Sequence, residues 1–264
     1  MRAFLQAFHL DGKIYRKKIQ EGLYLLVNAA DHVQYHLFWY GHYEKNTVDL
    51  WRTLITKDAV VADIGANIGY YTMMAAHRAT EGFVYAFEPS PQAYQQLLDN
   101  IAVNRLRNIE ALRLAVGAPT GTQPFYISSP DNTGMSGLRR ADNFSGLTEM
   151  ITVVSFDQWA TDRNIGRIDF IKMDIEGAEA DALHSMKNAL QRHRPVLFIE
   201  VRHHLLQNFG YAADSIYRFL SPLGFIAYEV TGVRRLKRAT GYIEGDAIVF
   251  APEQYRFPAG ITVQ

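Results

Sequence analysis

An alternation that starts at position 58 and runs almost to the end of the chain constrains the fold more than any other feature. Short apolar runs that read as strands, AVVADIG (59–65), GFVYAFEP (82–89) and NIEALRLAVG (108–117), are separated by YYTMMAAHRA (70–79) and PQAYQQLLDNIAVN (91–104), which have helix composition. After an interruption the pattern returns. RIDFIKMDIEG (167–177) and PVLFIEV (195–201) read as strands, while EADALHSMKNAL (179–190) and YAADSIYRFLSPLG (211–224) read as helices. Strands apolar on both faces suit a parallel sheet, and strand–helix repeats place helices on both sides of it. FIAYEV (225–230) and DAIVFAP (246–252) have no helix between them and are expected to form an antiparallel edge pair. Ser90 and Pro91 supply a helix start, with Ser at the N-cap and Pro at the first helical position.

Two regions stand outside this alternation. Residues 1–57 form an aromatic-rich extension, with a strand-like LYLLVNAAD (23–31) and a helical stretch (33–55) interrupted near Gly41. Its Phe38, Trp39, Tyr40 and Tyr43 suit either a cover over a ligand or core packing. The second region, about 118–160, reads as an insertion into the 58–264 domain: a hairpin ending in a Gly/Ser/Asn/Pro-rich loop, then the strand-like ITVVSFDQWA. Long irregular loops inside compact domains are usually functional or disordered, so 128–146 is expected to serve as a substrate loop that closes over the site, with simple surface elaboration as the alternative. Asp131, Asn132 and Ser136 offer polar groups there, and Met135 and Leu138 apolar surface.

Composition removes several function classes. With no cysteine among 264 residues, disulfides, thiolate metal sites and cysteine nucleophiles are impossible. Lys+Arg and Asp+Glu are both 27, and a chain without positive excess is not expected to have a stable nucleic-acid partner. The basic run Arg234, Arg235, Lys237 and Arg238 is expected to be a solvated connection. No apolar run approaches 18 residues, and MRAFLQAFHLDGK does not read as a signal peptide, so a cytoplasmic location is expected. The sequon at Asn143 then has no consequence.

Three strand ends carry chemistry. The turn DIGANIG places Asp63 before Gly65, Ala66, Asn67 and Gly69, a spacing unlike the dinucleotide fingerprint and better suited to a ligand with an ammonium or hydroxyls. Glu88, followed by Pro89, closes the next strand, where a carboxylate can accept both hydroxyls of a ribose. In FIKMDIEGAE, alternation puts Lys172 and Asp174 on one face and Ile171 and Met173 on the other, with Glu176 and Glu179 close behind. Three acids together raise some pKa values unless a cation offsets them, and Lys172 is the local cation. His203 and His204 follow the fifth strand; one of them is a candidate base, with structural and metal-binding roles as alternatives.

The combination of Asp63-x-Gly-Ala-Asn-x-Gly, Glu88-Pro89, the Lys172-x-Asp174-x-Glu176-Gly177-x-Glu179 box and Gly41-x-x-Glu44 resembles the FkbM family of S-adenosylmethionine-dependent methyltransferases over about residues 20–252. The resemblance implies a class I methyltransferase fold: an α/β Rossmann-like three-layer sandwich with a mixed seven-stranded sheet whose final strand is antiparallel. It implies that Asp63, Gly65, Ala66, Asn67 and Gly69 line the methionine and ribose part of the pocket, and that Glu88 holds the ribose. By the same resemblance Glu44 lies near the methionine end, Ala115 and Val116 near adenine, and Asp174 near the transferred methyl. Family members act mainly on hydroxyl oxygens, often of sugars or sugar-bearing natural products and lipids.

The expected activity is therefore O-methylation of a saccharide or small-molecule acceptor, with Asp174, Lys172 and His203 or His204 as the catalytic candidates. O-methylation of a non-sugar, N-methylation of nucleic acid or protein, and cofactor binding without catalysis are the alternatives. The DIEG at the end of strand four departs from the Asn/Asp-Pro-Pro-aromatic motif that N-methyltransfer would prefer. Metal-free catalysis is expected, although Asp174, Glu176, Glu200 and a nearby histidine could supply ligands for Mg²⁺.

Overall fold

The computed structural model describes residues 13–128, 134, 136–139 and 146–264. Asp131, Asn132, Met135 and Asn143, most of the anticipated closing loop and the first twelve residues lie outside the described residues. The chain opens with an antiparallel hairpin of β1 (Ile14–Lys18) and β2 (Tyr24–Asn28), followed by α1 (His32–Tyr40) and α2 (Lys45–Leu54). Then come β3 (Val60–Ile64), α3 (Tyr70–Arg78), β4 (Phe83–Phe87), α4 (Pro91–Asn104) and β5 (Ile109–Leu112). Next are β6 (Ala115–Val116), β7 (Gly121–Ile127), β8 (Leu147–Val154) and α5 (Phe156–Asp162). The second half contains β9 (Phe170–Met173), α6 (Glu179–Ser185), α7 (Lys187–His193), β10 (Val196–Val201), α8 (His203–Asn208) and α9 (Ser215–Leu220). It finishes with β11 (Phe225–Gly232), β12 (Arg235–Arg238), β13 (Gly245–Pro252) and β14 (Thr262–Val263).

Among the described residues the main sheet has nine strands in the order β14–β12–β11–β13–β10–β9–β3–β4–β5. β3, β4, β5, β9 and β10 are parallel, while β13 runs antiparallel between β10 and β11. The expected seven strands are all present. The last two, however, are not an edge pair: β12 and β14 continue the sheet beyond β11. The basic run is thus mostly a strand, with Leu236 buried in the core and Arg235, Lys237 and Arg238 exposed. The anticipated strand 108–117 divides, because β6 leaves the main sheet to pair with β8, which is antiparallel to β7. The helix read over 179–190 also breaks, at Met186.

Alternation along the strands sorts the core into two layers. Val61, Val84, Phe170 and Phe198 face a cluster that includes Trp51 and the N-terminal hairpin, while Ile64, Phe87, Ile171 and Ile199 face α5, α6 and α9. The hairpin is tied down by two asparagines one turn apart on α4. Asn100 Oδ1 accepts the Leu26 N–H at 2.7 Å and Asn104 Oδ1 that of Tyr24 at 2.8 Å, so backbone groups that would be open on an edge strand are satisfied.

Candidate active site

The carboxyl ends of β3, β4, β9 and β10 open into a cavity that α1 and the β7–β8 connection wall from the sides. After β3 the chain turns sharply, and the N–H groups of Gly65 and Ala66 both donate to Phe87 O at 3.0 Å. Gly65 has φ +81°, and a Cβ there would lie 2.0 Å from the Asp174 carbonyl oxygen. This glycine therefore lets two strand ends close on each other, a tighter constraint than the approach of a ligand. Gly69, at φ +91° before α3, would drive a Cβ within 2.5 Å of Leu97 Cδ1. Asp63, near the end of β3, is fully buried; Oδ2 accepts the Thr72 hydroxyl at 2.6 Å, and Oδ1 has no partner among the described residues. Burial raises its pKa, against the pull of Lys172.

Glu88 follows β4 and is also buried. Its Oε2 accepts the Asn67 N–H and its Oε1 the Ser90 N–H, both at 2.8 Å. Desolvation pushes its pKa up to about 7. Each carboxylate oxygen keeps a second lone pair for a hydroxyl donor. Ser90 sits at the N-cap of α4 as anticipated, but its hydroxyl makes no cap bond.

Lys172 is 7% exposed and stands beside Asp63 in the β3–β9 register. Its Nζ bonds Asp174 Oδ2 at 3.1 Å and lies 4.6 Å from the centre of the Tyr71 ring. The Tyr71 hydroxyl donates to Glu44 Oε2 at 2.6 Å, which ties the N-terminal extension to this cation. Burial raises the Glu44 pKa to about 7 and the Glu176 pKa to about 8. Glu179 accepts the N–H groups of Ile175 and Gly177, and burial likewise brings it to about 7. Ala66, Pro89, Ala115 and Val116 complete the apolar wall.

His203 and His204 are not brought to the cavity. The chain leaves the sheet after Val201 and enters α8, where the His203 N–H is capped by Glu244 Oε2 at 3.0 Å, while His204 is exposed. Glu200 borders the cavity instead. Its signal was in the alternation: Ile199 and Val201 belong to the opposite layer, and Glu200 lies two residues beyond the Phe198–Lys172 pair. Glu200 Oε2 is buried without a partner among the described residues, and burial with repulsion from Asp174, Glu176 and Glu179 raises its pKa to about 10. Asp174, Glu176 and Glu200 each offer an oxygen within 4.8 Å of the others. This all-oxygen set would suit Mg²⁺ or Ca²⁺ better than zinc.

These raised carboxyl pKa values fix the sign of a pH dependence. Glu44, Glu88, Glu176 and Glu179 hold protons in the folded protein above the pH at which an unfolded chain releases them. That stabilisation is complete below the unfolded value and is lost as pH rises through about 7 to 8. Thermal melts of the cofactor-free protein should therefore show a midpoint that falls from pH 5.5 to pH 8.5. A cationic ligand at saturation should flatten the fall. A midpoint that climbs across this interval contradicts the assignment.

A mainly parallel sheet whose last core strand is inserted antiparallel, with its ligand turn at the first strand, is the arrangement of class I S-adenosylmethionine-dependent methyltransferases. Residues 63–227 match the Methyltransferase FkbM domain, and the chain belongs to that family. The match is shorter than the 20–252 expected from the motifs, and Glu44 and the N-terminal hairpin lie outside it. The chain is 27% identical over 148 residues to the hexuronic acid methyltransferase AglP of Haloferax volcanii, covering 56% of this chain and 58% of that protein. It is 28% identical over 152 residues to the 2-O-methyltransferase NoeI of Sinorhizobium fredii, covering 52% and 61%. A third relative is the tRNA1(Val) (adenine(37)-N6)-methyltransferase of Pseudoalteromonas translucida, 30% identical over 103 residues, covering 38% and 44%. The chain thus spans less than two thirds of the length of each of these relatives. The tRNA-directed relative overturns the exclusion of a nucleic-acid partner that was drawn from the balanced charge. No helix of the described residues is long and apolar enough to cross a membrane.

Proposed function

We propose that this protein transfers the methyl group of S-adenosylmethionine to a hydroxyl oxygen of a saccharide or glycosylated small molecule. In this reading Glu88 takes the ribose hydroxyls, and Asp63, Gly65, Asn67 and Gly69 hold the ribose and methionine. Glu44 faces the methionine end, and Ala115 and Val116 lie against adenine. The segment before β3 completes the cofactor pocket. The observation that carries the oxygen acceptor is the acidic lining beyond that pocket, where Asp174, Glu200 and Asp246 border the cavity. Carboxylates accept hydroxyl protons, and the nearby cation Lys172 is already engaged by Asp174.

Transfer from a sulfonium needs the acceptor oxygen in line with methyl and sulfur, and a group to take one proton. Asp174, held in place by Lys172, is assigned that proton. A nucleic-acid acceptor is the second reading, supported by the tRNA-directed relative.

Asp174→Asn should keep cofactor affinity within about twofold and lose at least about tenfold in turnover, about 1.4 kcal/mol in barrier. Normal turnover at saturating substrates would remove Asp174 from the mechanism. A chelator should leave wild-type turnover unchanged; strong inhibition reversed by Mg²⁺ would instead assign Asp174, Glu176 and Glu200 to a metal.

A further inference from the structure

The chain reverses direction at Gly41, in the left-handed region at φ +72°, immediately after α1. This reversal folds Tyr43 back against the helix it has just left. The Tyr43 ring centre lies 5.9 Å from that of His36, and the Tyr40 ring centre lies 5.8 Å from that of His36. His32, His36 and Tyr40 are four residues apart, so they share one stripe of α1. The other faces of the helix are committed: Phe38 packs on Tyr15 of β1 at 5.0 Å, and Val33 and Leu37 wall the cavity. The stripe is not core, since Tyr40 is 61% exposed. Yet it leads inward, because Tyr43 borders the same cavity as Asp174, Glu200 and Asp246.

We propose that His36, Tyr40 and Tyr43 form the acceptor subsite, a stacking platform for the ring of a neutral pyranose whose hydroxyls reach Glu200 and Asp246. This rests on the methyltransferase reading above and names the part of the acceptor that is recognised. Aromatic faces carry negative quadrupole charge and attract the weakly positive C–H face of a sugar ring, while carboxylates receive the hydroxyls around its rim. Asp174 and Asp246 on the same lining disfavour phosphate, which favours an uncharged ring. Tyr43 supports this placement, because it borders the cavity and its hydroxyl can donate a hydrogen bond to a ring oxygen.

The test uses protein saturated with S-adenosylhomocysteine and saturation-transfer NMR against two probe sets, methyl glycosides of neutral pyranoses and free nucleosides. At least one glycoside should bind. The His36→Ala/Tyr40→Ala double variant should weaken it by about tenfold, and His36→Phe/Tyr40→Phe, which keeps the rings, should restore it to within about twofold. S-adenosylhomocysteine affinity should be the same in all three proteins, which also reports that the variants fold. Absence of glycoside binding, or glycoside binding indifferent to the double variant, overturns the subsite. Nucleosides that bind through these rings where glycosides do not would assign the platform to a nucleobase and overturn the pyranose. Failure of wild type to bind S-adenosylhomocysteine removes the methyltransferase reading itself, and the subsite with it.

Discussion

Lys172→Met is expected to lower the unfolding free energy by about 3–5 kcal/mol at pH 7, the cost of leaving a buried charge without its partner. Lys172 is the cation that Asp174 bonds at 3.1 Å and that stands beside fully buried Asp63 in the sheet register. Methionine keeps much of the stem volume against Tyr71, so the loss isolates charge from packing. The carboxylates left behind can recover stability only by taking up protons. The deficit should therefore shrink at pH 5, whereas the cost of a lost packing contact would not change with pH. Adding Asp174→Asn to Lys172→Met should cost less than the sum of the two single changes, since the pair fails as a unit. Urea denaturation of the three variants measures all of this. A loss below about 1 kcal/mol for Lys172→Met would mean that the cluster is solvated and that Lys172 does not organise it.

Glu88→Ala should weaken S-adenosylmethionine binding by about 1.5–3 kcal/mol, through loss of charge-assisted bonds to the ribose. It should also destabilise the cofactor-free protein, because the N–H groups of Asn67 and Ser90 lose the acceptors that now serve them at 2.8 Å. The informative companion is Glu88→Gln. Both carboxylate oxygens accept from backbone N–H donors, and an amide can offer an oxygen to only one of them. Its NH₂ must then face the other donor. Glutamine should therefore bind cofactor nearly as poorly as alanine, despite its matching shape. Calorimetry giving wild-type affinity for either variant would take the ribose away from Glu88.

Where the sequence carried a backbone reason, it located the structure closely. The α4 limits, Pro91–Asn104, match the expected helix because a proline at the first position fixes its start. Asp63 and Glu88 were legible because an acid ends a run that is otherwise apolar, and the fold makes strand ends converge on one edge. His203 and His204 were misplaced for a related reason. They follow the fifth strand, but the chain has already turned into α8, and Glu200, still on the strand, holds the inward position. Residue chemistry favoured the histidines; period-two alternation favoured the glutamate, and alternation prevailed. The two added strands were hidden because β12 consists of three cations around Leu236, a sequence that signals solvent exposure more strongly than pairing. The division of 108–117 between two sheets had no local marker, since it depends on β8, more than 30 residues later.

The most direct test of the central claim is a transfer assay with S-adenosylmethionine labelled in its methyl group. The acceptors are neutral glycosides, nucleotide-linked sugars, glycolipids, hydroxylated natural products, RNA and protein, and mass spectrometry locates the label. The account predicts that the label appears on an oxygen of a saccharide or glycosylated small molecule, and that Asp174→Asn slows its appearance at least about tenfold. Label found only on a nitrogen of RNA or protein would contradict it.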